Sequence, residues 1–122
     1  MIERIGQIAV LVRDVSRATA FYRDTLGLEF LFEAPGMSFF DCGGVRLMLG
    51  LPEGEGADRA SSIIYYKVED IRLAHQTLQE RGVVFVSPPH PVAKMPDHEL
   101  WLAFFKDSEG NLLGLMSEVR GR

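Results

Sequence analysis

The sequence holds a single cysteine, Cys42, so no intramolecular disulfide can form and no CxxC pair is present for metal or redox chemistry. Long apolar runs are missing too. The longest stretch without Asp, Glu, Lys or Arg, residues 82–93, contains Pro88, Pro89 and Pro91 and falls short of the ~20 apolar residues a spanning helix needs. No membrane segment is expected. There is no basic block: 13 Lys and Arg are interleaved with 17 Asp and Glu for a net charge of −4, which leaves no face built to neutralise phosphates, and nucleic acid is not an expected partner. The glycines form neither GxGxxG nor a P-loop, and Gly54 and Gly56 stand among Glu53, Glu55 and Asp58, which would repel a phosphate. Residues 1–7 carry Glu3 and Arg4 and lack a basic start followed by an apolar run, so the sequence predicts no secretory signal and a cytoplasmic location. What the chain does have is apolar residues. At 47% hydrophobic over 122 residues it can bury one proper core without staples.

Apolar periodicity divides the chain into short strands and two helices whose order repeats. Ile8, Val10 and Val12 alternate with Gln7, Ala9 and Leu11 as a first strand that stops at Arg13 and Asp14. Asp14 can cap a helix, along which Val15, Ala18, Tyr22 and Leu26 recur at helical spacing until Gly27 supplies a left-handed terminus. Strands are expected over residues 28–33, 37–42 and 45–51, with turns at Pro35-Gly36 and Gly43-Gly44. Residues 52–60 break every apolar pattern and read as a linker. The programme then restarts with a strand over residues 63–68, a helix carrying Ile71, Ala74 and Leu78 and closed by Gly82, and strands over residues 83–86, 99–105 and 112–116. Val12-Arg13-Asp14 is echoed by Val68-Glu69-Asp70. The expected class is α+β, two tandem βαβββ modules over residues 1–51 and 61–122 in a single domain spanning 1–122.

The segments RDVSRATAFYRDTLGL, residues 13–28, and FKDSEGN, residues 105–111, resemble the vicinal oxygen chelate superfamily. That superfamily includes glyoxalase I, methylmalonyl-CoA epimerase, extradiol dioxygenases, and the bleomycin and fosfomycin resistance proteins. The resemblance covers almost the whole chain. It implies that the modules form a cup-shaped mixed sheet with helices on the convex side and a ligand in the concave one. It also implies a test for metal. Metal-dependent members place His, Gln or Glu on the first and fourth strands of each module, positions that fall here at Gln7, Met48, Ile63 and Gly114. Of these, Gln7 alone offers an oxygen or nitrogen donor suited to a hard or borderline divalent ion. Shifting the register by one residue adds nothing beyond the weak hydroxyl of Ser62. Gly114 also cannot act as the base that removes a proton alpha to a carbonyl, so an ordinary glyoxalase mechanism lacks both its metal and its carboxylate.

The polar residues that remain concentrate in two places. Alternation from Gln7 puts Arg46 and Met48 on the fourth strand, and Tyr65 and Lys67 on the fifth, on the lining side of the cup. Arg46 or Lys67 can pair with an anionic group or stand in water, and Tyr65 can stack on or hydrogen-bond a ligand; Met48, Met116 and Phe39 are read as space fillers. Residues 90–101 gather His90, Lys94, Asp97, His98, Glu99 and Trp101 in what reads as a loop and strand start. As a rim or lid over the cup, it would have His98 and Glu99 hydrogen-bond a ligand, Lys94 hold an anion and Trp101 form an apolar wall. The bland alternative is a solvated loop with Trp101 in the core. His75 is expected to flank the core, and Cys42 to be an inert small residue.

The expected function is therefore a metal-independent protein that binds a small organic molecule, with Gln7, Arg46, Tyr65, Lys94, His98, Glu99 and Trp101 as ligand-binding candidates, no cofactor and a homodimeric assembly. The alternative is a glyoxalase- or epimerase-like lyase or isomerase with a displaced divalent metal site that uses Gln7, His98 and Glu99; His90, His98 and Glu99 form a second candidate ligand set. A third reading is a catalytically empty domain that serves as an assembly partner.

Overall fold

The computed structural model describes residues 1–52 and 62–120. The expected linker therefore lies, apart from Pro52, outside the described residues. Two compact units divide the chain, one from each βαβββ module.

In the first, β1 (Gln7–Leu11) is followed by α1 (Val15–Ala20), β2 (Glu29–Ala34), β3 (Met37–Cys42) and β4 (Val45–Gly50). The sheet order is β1-β4-β3-β2, with β1 parallel to β4 and the other pairs antiparallel. The second repeats the plan with β5 (Ile64–Lys67), α2 (Ile71–Glu80), β6 (Phe85–Lys94), β7 (Glu99–Lys106) and β8 (Leu112–Val119), in the order β5-β8-β7-β6. Among the described residues no helix is long and apolar enough to cross a membrane.

The repeated Asp starts both helices. The Asp14 carboxylate accepts from the Arg17 amide, and that of Asp70 from the amides of Arg72 and Leu73, which satisfies donors the first helical turn leaves open. Gly27 and Gly82 follow the two helical segments with φ of +78° and +90°, a conformation that L side chains rarely adopt. The first helix differs from the single α-helix expected over residues 15–26: from Phe21 to Thr25 it widens into a π-helical turn, with the Leu26 amide donating to the Phe21 carbonyl at 2.9 Å.

Each sheet buries one face under its helix. In the first module Val10, Leu47, Leu49 and Phe40 are buried together with Ala18 and Tyr22; the Thr19 hydroxyl donates to the Val15 carbonyl at 2.6 Å and accepts from that of Ser38 at 2.8 Å. In the second, Ala103, Phe105, Leu113 and Leu115 lie with Ile71 and Leu78, and Ser117 donates to the Glu69 carbonyl. His75 packs on Phe85 with ring centroids 4.3 Å apart, at the flank of this core as expected.

The largest correction falls on residues 90–99. The sequence suggests a loop there, but residues 90–94 complete the long strand β6 and β7 begins at Glu99, so the connection shrinks to residues 95–98, closed by Met95 N–H donating to the His98 carbonyl at 2.7 Å. Pro88, Pro89 and Pro91 lack an N–H and read as loop residues on that account. They are accommodated because β6 is an edge strand, bonded on one side, and its pairing with β7 shifts register between Phe85 and Ala93.

Candidate functional site

Strand alternation sets which side chains stand on the face of each sheet opposite its helix. In the first module, Gln7 lies beside Arg46, Ala9 beside Met48, and Met48 beside Phe39, all on that helix-free face. Arg46 Nε donates to Gln7 Oε1 at 2.7 Å, and Gln7 Nε2 points to the Met48 sulfur at 3.8 Å. The Arg46 guanidinium sits 5.6 Å from the centroid of the Phe39 ring, whose other neighbour is Phe32, stacked at 4.5 Å with 23° between the planes.

A bulge brings Phe32 there. Phe30 and Phe32 are two apart and would share a face in a regular strand. In the pairing with β3, however, Phe30 meets Phe40 while Phe32 meets Phe39, so the intervening Leu31 takes up one extra residue and Phe32 turns to the helix-free side.

In the second module, Tyr65 lies across from Gly114, and its ring covers the glycine: a Cβ built on Gly114 would come within 2.6 Å of Tyr65 Cδ2. Phe104 meets Tyr65 edge-on at 5.8 Å. Farther along the same face, Glu118 lies 3.6 Å from Lys67 Nζ and 4.0 Å from His98 Nε2. His98 Nδ1 donates to Asp97 at 2.7 Å, and Arg120 donates to the same carboxylate at 2.6 Å. These hydrogen bonds, that of Arg120 first, hold the Asp97 carboxyl down from the usual 3.8 to about 2.

The seven residues singled out by sequence thus do not converge as a group. Gln7 and Arg46 are bonded to one another, and Tyr65 and His98 belong to the helix-free side of their own sheet. Trp101 turns the other way, under the Arg72 guanidinium of α2 at 4.9 Å, and Glu99 accepts from its indole N–H at 3.3 Å. Lys94 is exposed at the end of β6, across from Glu99 in the register. Burial, and next the Asp41 charge, push the Cys42 thiol above its usual range, which fits an unreactive residue.

Phe32, Phe104 and Glu118 are residues of these faces that the sequence reading passes over, and Phe39 does more than fill space. Glu118 continues the alternation of Gly114 and Met116 and is in principle readable; Phe32 depends on the bulge.

The donor set does not fit a divalent metal. Gln7 Oε1 already accepts from a cation, and an ion there would face the Arg46 guanidinium at close range. Met48 presents a thioether, Ile63 has no donor, and the fourth-strand position of the second module is a glycine under a tyrosine ring. The residues of the displaced alternative are separately engaged: His90 Nδ1 bonds the Pro88 carbonyl, His98 bonds Asp97, and Glu99 bonds Trp101. Among the described residues no three His, Cys, Asp or Glu side chains come together where an ion could be held.

Comparison with known proteins matches residues 4–115 to the model of the Glyoxalase/Bleomycin resistance protein/Dioxygenase superfamily. An uncharacterized protein of Bacillus subtilis, YraH, is 29% identical over 90% of this chain and 94% of its own. A solved member of the same superfamily from Sphaerobacter thermophilus is similar at 31% identity and a TM-score of 0.78, over 96% of this chain and 98% of the other. The fold is also that of a lactoylglutathione lyase from Agrobacterium tumefaciens, with 21% identity, a TM-score of 0.74, and 95% and 94% coverage.

Proposed function

Because the chain belongs to the Glyoxalase/Bleomycin resistance protein/Dioxygenase superfamily, we propose that it holds a small organic molecule against a helix-free sheet face and does so without a divalent metal. The observation that carries this reading is the Tyr65 ring lying over Gly114: where a metal-dependent relative would present a carboxylate, this chain presents an aromatic surface. The Gln7–Arg46 pair supports it from the first module, since the remaining oxygen donor is committed to a guanidinium. With neither a metal-binding donor set nor a carboxylate at these positions, the chain offers no residue for the electrostatic and acid-base contributions to enolisation, whereas aromatic rings beside a few placed polar groups are the usual furnishing of an organic-ligand site. On the first module's face Arg46, held by Gln7, is the proposed ligand contact; on the second module's face, taken by itself, it is Tyr65, with His98 at the margin. Glu99 and Trp101 serve the packing beside α2.

A screen of small organic molecules against chelator-treated, ¹⁵N-labelled protein tests this. Amide shifts should concentrate on a helix-free face, at Gln7, Phe39, Arg46 and Met48 of the first module or at Tyr65 and Gly114 of the second, without added metal. Shifts that arise only after a divalent cation is supplied would contradict the reading.

A further inference from the structure

The helix-free face of the first module has a chemical character that narrows the ligand class. Arg46 is exposed, and Gln7 holds it by Nε alone. Among the described residues neither Nη nitrogen has a protein partner and no carboxylate forms an ion pair with this guanidinium, although Asp41 is its neighbour in the β3–β4 register. A guanidinium fixed at Nε keeps its Nη edge available, and that edge matches the two oxygens of a carboxylate.

Beside it stands a surface that no core requirement explains. Phe32 is 47% exposed, yet the Leu31 bulge turns it away from the helix side and stacks it on Phe39, the ring that also carries the guanidinium. Bulges are frequent where a strand re-aims a side chain next to a binding site. A half-exposed aromatic ring offers a stacking partner to a flat apolar group.

Resting on the reading that this face holds a ligand, we infer that its ligand is an aromatic carboxylate: a planar ring against Phe32 and Phe39, and a carboxylate accepting from the Nη edge of Arg46. Gln7 is then a positioning residue, holding the guanidinium in place. The recognition needs both halves, because a single surface arginine or a lone phenylalanine would not distinguish such a molecule from acetate or from a neutral ring.

The test uses the full chain, ¹⁵N-labelled, titrated with benzoate, benzamide and acetate. Benzoate should shift the Phe39, Arg46 and Met48 amides saturably. Benzamide, which keeps the ring and loses the charge, and acetate, which keeps the charge and loses the ring, should each bind roughly ten-fold more weakly or worse. Arg46→Gln should weaken benzoate by roughly ten- to hundred-fold while leaving benzamide unchanged, with Phe32→Ala weakening both ring compounds and not acetate. Circular dichroism and thermal midpoints of both variants should match the parent, since both side chains are exposed.

Equal affinity for benzoate and benzamide at this face would overturn the anionic assignment and leave the ligand-holding reading standing. Absence of shifts with benzoate at Arg46, with other molecules binding at Tyr65 and Gly114, would also overturn the inference alone. If no molecule of any class shifts either face, the ligand-holding reading falls with it.

Discussion

Replacing Phe40 with alanine is expected to lower the free energy of unfolding by about 3–5 kcal/mol, the range for emptying an aromatic site in a packed core. Phe40 is 0% exposed and sits between Tyr22 of the π-helical turn, 6.2 Å between centroids, and Phe30, which meets it edge-on at 5.6 Å. Truncation would remove both ring contacts and leave a void that Leu47 and Leu49, already fully packed on the same face, are poorly placed to fill. Against a total of roughly 5–15 kcal/mol for a natural domain, this loss is large enough to move the midpoint of urea denaturation far to the left. A change under about 1 kcal/mol would mean that the helix does not pack here as described.

The second large effect is expected at Asp107, in the FKDSEGN segment. Its side chain is 6% exposed and organises the turn into β8: Oδ1 accepts from the Glu109 and Asn111 amides, both at 2.8 Å, and Oδ2 accepts from the Asn111 side chain at 2.9 Å. Asp107→Ala strips the acceptor from two backbone donors in a partly buried turn and should cost about 2–4 kcal/mol, since each donor left unmatched forfeits roughly 1–3. Asp107→Asn keeps one carbonyl acceptor and should lose distinctly less. Thermal unfolding of the three proteins would show this order. Equal midpoints for Ala and Asp would place the turn's stability in its backbone bonds instead, namely Asp107 N–H to the Asn111 carbonyl and Gly110 N–H to the Asp107 carbonyl. FKDSEGN, one of the two segments that carry the family resemblance, thus acts as scaffolding for the turn into β8.

Residues that answer to local rules were readable from the sequence. Asp14 and Asp70 before apolar stripes, Gly27 and Gly82 after them, and the alternation of Ile8, Val10 and Val12 each follow from capping, left-handed backbone or period two, and the repeat of these signals gave the two modules. The faces of Gln7, Arg46 and Tyr65 followed from parity. The misplaced features depend on pairing instead. Pro88, Pro89 and Pro91 can belong to a strand only if that strand is an edge, and sequence does not say which strand is outermost. Glu99 and Trp101 fall on the helix side because they share the parity of buried Ala103 and Phe105 in the pairing with β8. Phe32 reached the helix-free face through a one-residue shift against β3, and the Tyr65 ring covers Gly114 only because β5 and β8 pair in that register.

The central claim, sheet faces whose donor positions are taken by Arg46 in the first module and by Tyr65 in the second, is tested most directly by calorimetric titration of chelator-treated protein with Ni²⁺, Zn²⁺ and Mn²⁺. The account predicts no stoichiometric binding of any of the three, in parent and Gln7→Ala proteins alike. Tight one-to-one binding that is lost in Gln7→Ala would contradict it, because Gln7 would then have to release Arg46 and serve an ion.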